Sequence, residues 1–325
     1  MTDQAIATPR PASSVERYLD AETRLWQHYG LAPRNRFVDI ALPRARLRIL
    51  EAGSGPPVLF IHGTVGPGSW PSLIASMPGF RSLVLDRPGW GLSTPVEYPR
   101  RGYRSYVADL MAGSLDALDI DRVDVVGGSI GDVWALSFAE RHPDRVGRIV
   151  LLGGGPIVSE VRVPGVIRAL ASPIGALMVR LPVSEDRLRS MLRESGHSTS
   201  LEDGRVADEF FAWRLASAND TKSMRHERDM VRGIVRGSGW RPGFMFDEDQ
   251  LARIDQPTML VYGTADPTGS IDIWRRVTGA LPHGELHLME GAGHHPWFDD
   301  ASLVATRVSR FLADPPGGSG AATAA

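Results

Sequence analysis

Cysteine is absent from the 325 residues, which removes disulfide staples, thiolate nucleophiles and Cys-ligated metals together. Lysine is nearly absent, since Lys222 stands alone and arginine carries the rest of the lysine-plus-arginine charge. A dominant charge is missing too. With 36 basic and 38 acidic residues the net charge is −2, and no long run of one sign interrupts the mixture. That balance speaks against nucleic acid or an anionic membrane as the main partner. No apolar stretch approaches the ~20 residues that span a bilayer. The opening MTDQAIATPRPASS has no apolar segment behind a positive end, so no secretory signal is expected and the chain is expected to be soluble and cytoplasmic. H-E-x-x-H, the Walker loop and G-x-G-x-x-G are missing, and with them the usual scaffolds for zinc-peptidase, P-loop and dinucleotide chemistry.

What is present is enough apolar material, 42% of residues, to bury one large domain carrying an insertion. Residues 1–13 and 313–325 are polar or small-residue ends expected to be disordered. Between them, Ser14 opens an amphipathic helix reaching about Tyr29. Strands are predicted at 36–42, 45–53, 56–63, 80–89, 123–128, 146–154, 257–263 and 284–291, with helices near 69–77, 103–118, 130–142, 270–281 and 301–312. The first two strands alternate as half-exposed antiparallel strands do, whereas VLFI (58–61) is continuously apolar, as a strand covered on both faces should be. Alternating β and α units specify a mostly parallel central sheet flanked by helices. Residues 157–250 break the rhythm, with helical spacing only, and read as a helical cap inserted between the two core parts, 14–156 and 251–312.

The stretch VDVVGGSIGDVWAL (123–136) joins a buried strand to a helix through Ser129, with glycines at 127, 128 and 131. A serine there lies at the carboxyl edge of a parallel sheet, where open α/β folds bind ligands. A turn sharp enough to expose its hydroxyl crowds the residues two before and two after it, which suits Gly127 and Gly131. Serine needs a base. His294 and His295 both follow a strand and a Gly-Ala-Gly turn, and His294 is the choice because that turn can aim it back over the sheet. The base needs an orienting carboxylate, and Asp266 follows the strand MLVYG with Pro267 fixing the turn. Chain order Ser, Asp, His, each beyond a strand's carboxyl end, matches one arrangement of the catalytic triad.

With G-G-S-I-G (127–131), FIHGTVGPGSW (60–70) and LDRPGWGLS (85–93) in place, the chain resembles the α/β-hydrolase superfamily over roughly residues 36–312. The resemblance implies Ser129 as nucleophile, Asp266 as acid, His294 as base, and an oxyanion hole from the backbone N–H groups of Thr64 and Ile130. It also implies a cap over the pocket, no cofactor and no metal. His62 and Asp86 are expected to hold loop shape. Position 129 being serine excludes a carboxylate nucleophile.

The expected activity is hydrolysis of a carboxylic ester of a small to medium apolar acyl substrate through an acyl-enzyme on Ser129. The same triad also serves C–C bond hydrolysis, acyl transfer or perhydrolysis. The G-G-S start is similar to proline-iminopeptidase relatives, but Ile130 and HGTVG depart from their Trp and H-G-G-P-G. A non-catalytic binder on the same fold is the remaining alternative. Asp132, where the superfamily prefers Gly or Ala, is expected to stabilise the helix N-terminus. Phe210, Phe211 and Trp213 are expected to pack within the cap rather than line a pocket.

Overall fold

The computed structural model describes residues 12–41 and 43–313, so the expectations for residues 1–11, Leu42 and 314–325 lie outside it. Helix α1 (Ser14–His28) starts one residue earlier than the sequence suggests: Ser13 is its cap, its hydroxyl accepting the Glu16 N–H while Glu16 returns a bond to the Ser13 N–H. Such a reciprocal box satisfies two of the donors that a helix start leaves free.

Strands β1 (Arg34–Ala41) and β2 (Arg44–Gly53) form the antiparallel edge, followed by β3 (Pro57–Ile61), α2 (Pro71–Ala75), β4 (Arg81–Leu85) and α3 (Tyr103–Asp116). The chain continues through β5 (Val123–Gly128), α4 (Ile130–Arg141) and β6 (Val146–Leu152). The eight-stranded sheet has the order β1-β2-β4-β3-β5-β6-β9-β10, where β9 is Thr258–Gly263 and β10 is Gly284–Met289. From β4 to β10 every pairing is parallel. This is the α/β-hydrolase fold read from the sequence.

Alternation along each buried strand divides the core between two faces. Leu59, Ile61, Val125, Ile149 and Leu151 pack with α3 and α4 on one side. Val58, Phe60, Val126, Val150 and Leu152 face the other, together with Tyr18 and Trp26 of α1. Because each strand is covered twice, the continuous apolar reading of VLFI follows directly.

Between β6 and β9 the chain makes an excursion that begins with six helices: α5 (Gly165–Ala171), α6 (Gly175–Met178), α7 (Glu185–Glu194), α8 (Ser198–Glu202), α9 (Asp208–Asn219) and α10 (Ser223–Ile234). It closes with a small hairpin, β7 (Val235–Arg236) and β8 (Gly239–Trp240), and α11 (Glu248–Leu251). The hairpin escaped the sequence because two-residue strands carry no periodicity. After β9 come α12 (Ile271–Ala280), then β10, α13 (Pro296–Asp299) and α14 (Ala301–Ala313), the last running one residue into the expected tail. Among the described residues, no helix is long and apolar enough to cross a membrane.

Candidate active site

Ser129 sits between β5 and α4 with φ 56° and ψ −119°, a backbone region that L-residues rarely occupy and that marks sites where strain is held for function. Two glycines make the turn possible. A Cβ on Gly131 would overlap the Ile61 carbonyl oxygen, and one on Gly127 would lie 2.7 Å from the Gly131 oxygen. The spacing that singled out this serine therefore reflects backbone crowding on both sides of it.

The structure brings the three predicted side chains together. His294 Nε2 lies 2.9 Å from Ser129 Oγ, and its Nδ1 lies 2.6 Å from Asp266 Oδ2. With Nδ1–H donating to the carboxylate, Nε2 is free to accept the serine proton. The other Asp266 oxygen accepts the Thr268 N–H at 2.8 Å and the Thr268 hydroxyl at 2.7 Å, so the carboxylate cannot swing away. Burial works against the imidazolium of His294, but the Asp266 charge and hydrogen bond together with the Asp132 carboxyl outweigh it, and the ring is shifted above the ordinary histidine value. His295, the rival, does not reach Ser129. Its N–H donates to His197 at 3.0 Å, and burial pushes its ring well below the histidine range.

Thr64, Ile130, Ser129 and His294 line one cavity of ≈ 370 Å³ between the sheet edge and the excursion. Ile130 is the first residue of α4, whose leading N–H groups have no partner within the helix, so a developing oxyanion beside Ser129 would meet that end of the helix. The Thr64 loop is braced from below. The Arg87 guanidinium donates to Gly63 O at 3.0 Å and pairs with buried Glu227 of α10 at 2.9 Å, while the Trp90 indole N–H donates to the same carboxylate at 2.6 Å. His62 Nδ1 lies 2.7 Å from Gly63 O and its Nε2 accepts the Arg87 N–H at 3.3 Å. Burial and then the Arg87 charge hold its ring well below the usual range, and its two ring bonds shape the loop. Asp86 ties Arg48 at 3.2 Å to the Leu92 N–H at 3.3 Å. Both were expected to shape loops, and both sit in bonds of that kind.

Two expectations are corrected. Asp132 is fully buried, and its Oδ2 accepts the Gly155 N–H at 2.7 Å, across the fold rather than at its own helix start. Burial pushes its carboxyl well above the usual carboxylate range, against the pull of that N–H, and its bond reaches the loop after β6 instead of the N–H groups of its own helix. Of the cap aromatics, Phe210 lines the cavity, whereas Trp213 is closed off against the Gly66–Gly68 turn.

Arg214 of α9 was missed altogether. It lines the cavity yet is 5% exposed, with Nη2 3.4 Å from Thr64 O and 3.2 Å from the Met224 sulfur, and Nη1 without a partner. Burial pushes its pKa down to about 10, with Glu227 partly opposing that shift. Among the described residues, no cluster of three or more His, Asp or Glu side chains could hold a metal ion.

A family model for the alpha/beta hydrolase fold matches residues 56–301. The 2-hydroxy-6-oxononadienedioate/2-hydroxy-6-oxononatrienedioate hydrolase of Cupriavidus pinatubonensis is 30% identical over 295 residues, covering 86% of this chain and 96% of that protein. A hydrolase of the same description from Pseudomonas putida is 30% identical over 278 residues, 82% of this chain and 91% of its own. Among solved structures, the carboxylesterase CesB of Bacillus subtilis superimposes with a TM-score of 0.70 at 19% identity, covering 92% of this chain and 98% of that one. A meta-cleavage product hydrolase of Pseudomonas fluorescens IP01 gives 0.68 at 20% identity, with 85% and 97% covered. At those identities the solved structures speak to the fold alone.

Proposed function

The chain belongs to the alpha/beta hydrolase fold family, and on that premise we propose that it is a serine-dependent hydrolase cleaving a carbon–carbon bond next to a ketone in a substrate that carries a carboxylate. The observation that carries this reading is Arg214. A guanidinium taken out of water needs paired acceptors, yet this one faces a cavity wall with one nitrogen unpartnered. A carboxylate on the substrate would complete it with the planar geometry that arginine favours. The ester of an apolar acyl group, expected from the sequence, offers Arg214 no charged partner in the cavity. The relatives at 30% identity are named for hydrolysis of a dioate, which points the same way.

The chemistry runs through Ser129. His294 takes the serine proton as Oγ adds to the ketone carbonyl, and Asp266 holds the resulting imidazolium. The oxyanion faces the N–H groups of Thr64 and Ile130, each donor contributing roughly 3 kcal/mol by analogy with measured oxyanion holes. Collapse breaks the C–C bond. Its electron pair leaves on carbon, so a second, conjugated carbonyl must delocalise it, and His294 returns the proton to that carbon. Water, activated by the neutral His294, then releases the acid from Ser129.

The test offers the purified protein three compounds of similar size: a conjugated diketo acid, its methyl ester, and a p-nitrophenyl ester. The diketo acid is expected to be the best substrate by kcat/KM, with no turnover of any of them by Ser129→Ala. Faster turnover of the p-nitrophenyl ester than of the acid would overturn the reading in favour of an esterase.

A further inference from the structure

The loop carrying the catalytic base is held by its backbone, and two of the three holding groups come from the cap while the third, Asp299 of α13, is itself held by the cap. Three consecutive N–H groups are engaged. Gly293 donates to Asp299 Oδ2 at 2.9 Å, His294 to the Ser195 carbonyl at 2.9 Å, and His295 to His197 Nε2 at 3.0 Å. Ser195 and His197 belong to the turn between α7 and α8. His197 is fully buried, and its Nδ1 lies 3.0–3.1 Å from the Asp299 carboxylate. Asp299 is in turn bound by the Ser200 hydroxyl and, through its carbonyl, by Arg205 at 2.9 Å. Each of the three N–H routes from Gly293–His295 therefore leads, directly or through Asp299, to residues 195–205.

The ring roles follow from the partners. A backbone N–H must meet an acceptor, so Nε2 of His197 is unprotonated and Nδ1–H donates to Asp299. The fit is close on the other side too. Gly196, at φ +92°, wedges between the acid and base loops: a Cβ there would stand 2.6 Å from Ala265 O and 2.9 Å from the Gly293 Cα. The turn 195–197 touches both loops that deliver Asp266 and His294 to Ser129.

We propose that His197 is a positioning residue for the hydrolase reaction: with Ser195 it fixes the backbone of residues 293–295 and so aims His294 Nε2 at Ser129, making the cap part of the catalytic base and not only a cover for the substrate. This rests on the serine-hydrolase reading above.

The test measures the rate at which a small fluorophosphonate labels Ser129, alongside kcat and KM, in the wild type, His197→Phe and His197→Gln. The probe barely engages the cap cavity but depends on His294 to activate the serine. His197→Phe keeps a ring with neither donor nor acceptor, and labelling and kcat are expected to fall about 10- to 100-fold, the scale of an ångström-sized misplacement, with KM little changed. His197→Gln keeps one donor and one acceptor, and should recover most of that loss. A folded His197→Phe that labels at the wild-type rate overturns the proposal, as does a change in KM alone, or a Gln variant as slow as Phe. Should His197→Phe not fold, Asp299→Ala, which removes the carboxylate that accepts from Nδ1 of His197 and from the Gly293 N–H, carries the same two outcomes. A wild type that the probe leaves unlabelled would instead defeat the serine-hydrolase reading itself.

Discussion

The backbone N–H of Gly155 meets Oδ2 of Asp132 at 2.7 Å, while Oδ1 of the same carboxyl has no partner. The bond ties the loop after β6 to the first turn of α4, directly behind the nucleophilic serine proposed here. A half-satisfied carboxyl in a dry site favours its neutral form.

Stability should therefore fall as pH rises. Burial raises the folded-state pKa of Asp132 above its unfolded value, so the folded chain keeps a proton that the unfolded chain gives up. Its contribution is complete below the ordinary carboxylate pKa and is lost as pH climbs through the raised value. Asp132→Asn retains an acceptor for Gly155 and has no proton to lose. Urea midpoints measured from about pH 4 to pH 8 should show the variant gaining on the wild type at each step; parallel curves would contradict the assignment.

Catalysis should carry an acid limb of the opposite origin. The proposed base, His294, can act only when Nε2 is unprotonated; burial opposes its imidazolium, but the Asp266 charge and hydrogen bond, with the Asp132 carboxyl, together shift the ring upward. The rise of kcat/KM with pH is expected to have its midpoint above 6.5, the ordinary histidine value. Asp266→Asn should move that midpoint down and lower the plateau by about 10⁴-fold, the loss seen when the equivalent partner is neutralised in a serine protease.

Charge recognition can be isolated at Arg214. Arg214→Met keeps most of the apolar stem, so kcat/KM for a diketo acid should drop about 100-fold, as for other buried charge pairs losing one partner, while its methyl ester changes little. Equal losses on both compounds would mean that Arg214 only supports the Thr64 loop.

Two glycine substitutions should part company. Gly131→Ala drives a methyl into the Ile61 carbonyl oxygen and should cost more than about 3 kcal/mol or prevent folding. Gly279→Ala, in α12 with nothing within 4 Å of the added carbon, should gain about 0.4–1 kcal/mol. Thermal and urea unfolding of the pair would check both signs.

Much of the site was legible because each of its three central residues follows a strand. Apolar runs fix where β5, β9 and β10 end, and a parallel sheet puts Ser129, Asp266 and His294 along one rim. Arg214 was not legible for a different reason. Its only signal is a lone charge within FFAWRLA (210–216), and helical spacing cannot say which face of α9 meets a cavity formed by other segments. His197 is harder still, since the residue whose N–H it accepts lies 98 positions away. Asp132 was placed correctly on α4, but its bond to Gly155 was not legible, because that contact is a property of the finished packing.

β6 and β9 are hydrogen-bonded neighbours, pairing Ile149 with Thr258 through Leu152 with Val261. The polypeptide thus departs from and returns to points one strand spacing apart, about 4.8 Å, whatever it does in between. Transplanting a foreign lid into this gap would leave the register of the platform untouched, so chimeras with new substrate ranges are geometrically open. Any donor lid would have to bring its own turn to grip residues 293–295, or the graft would bind without reacting.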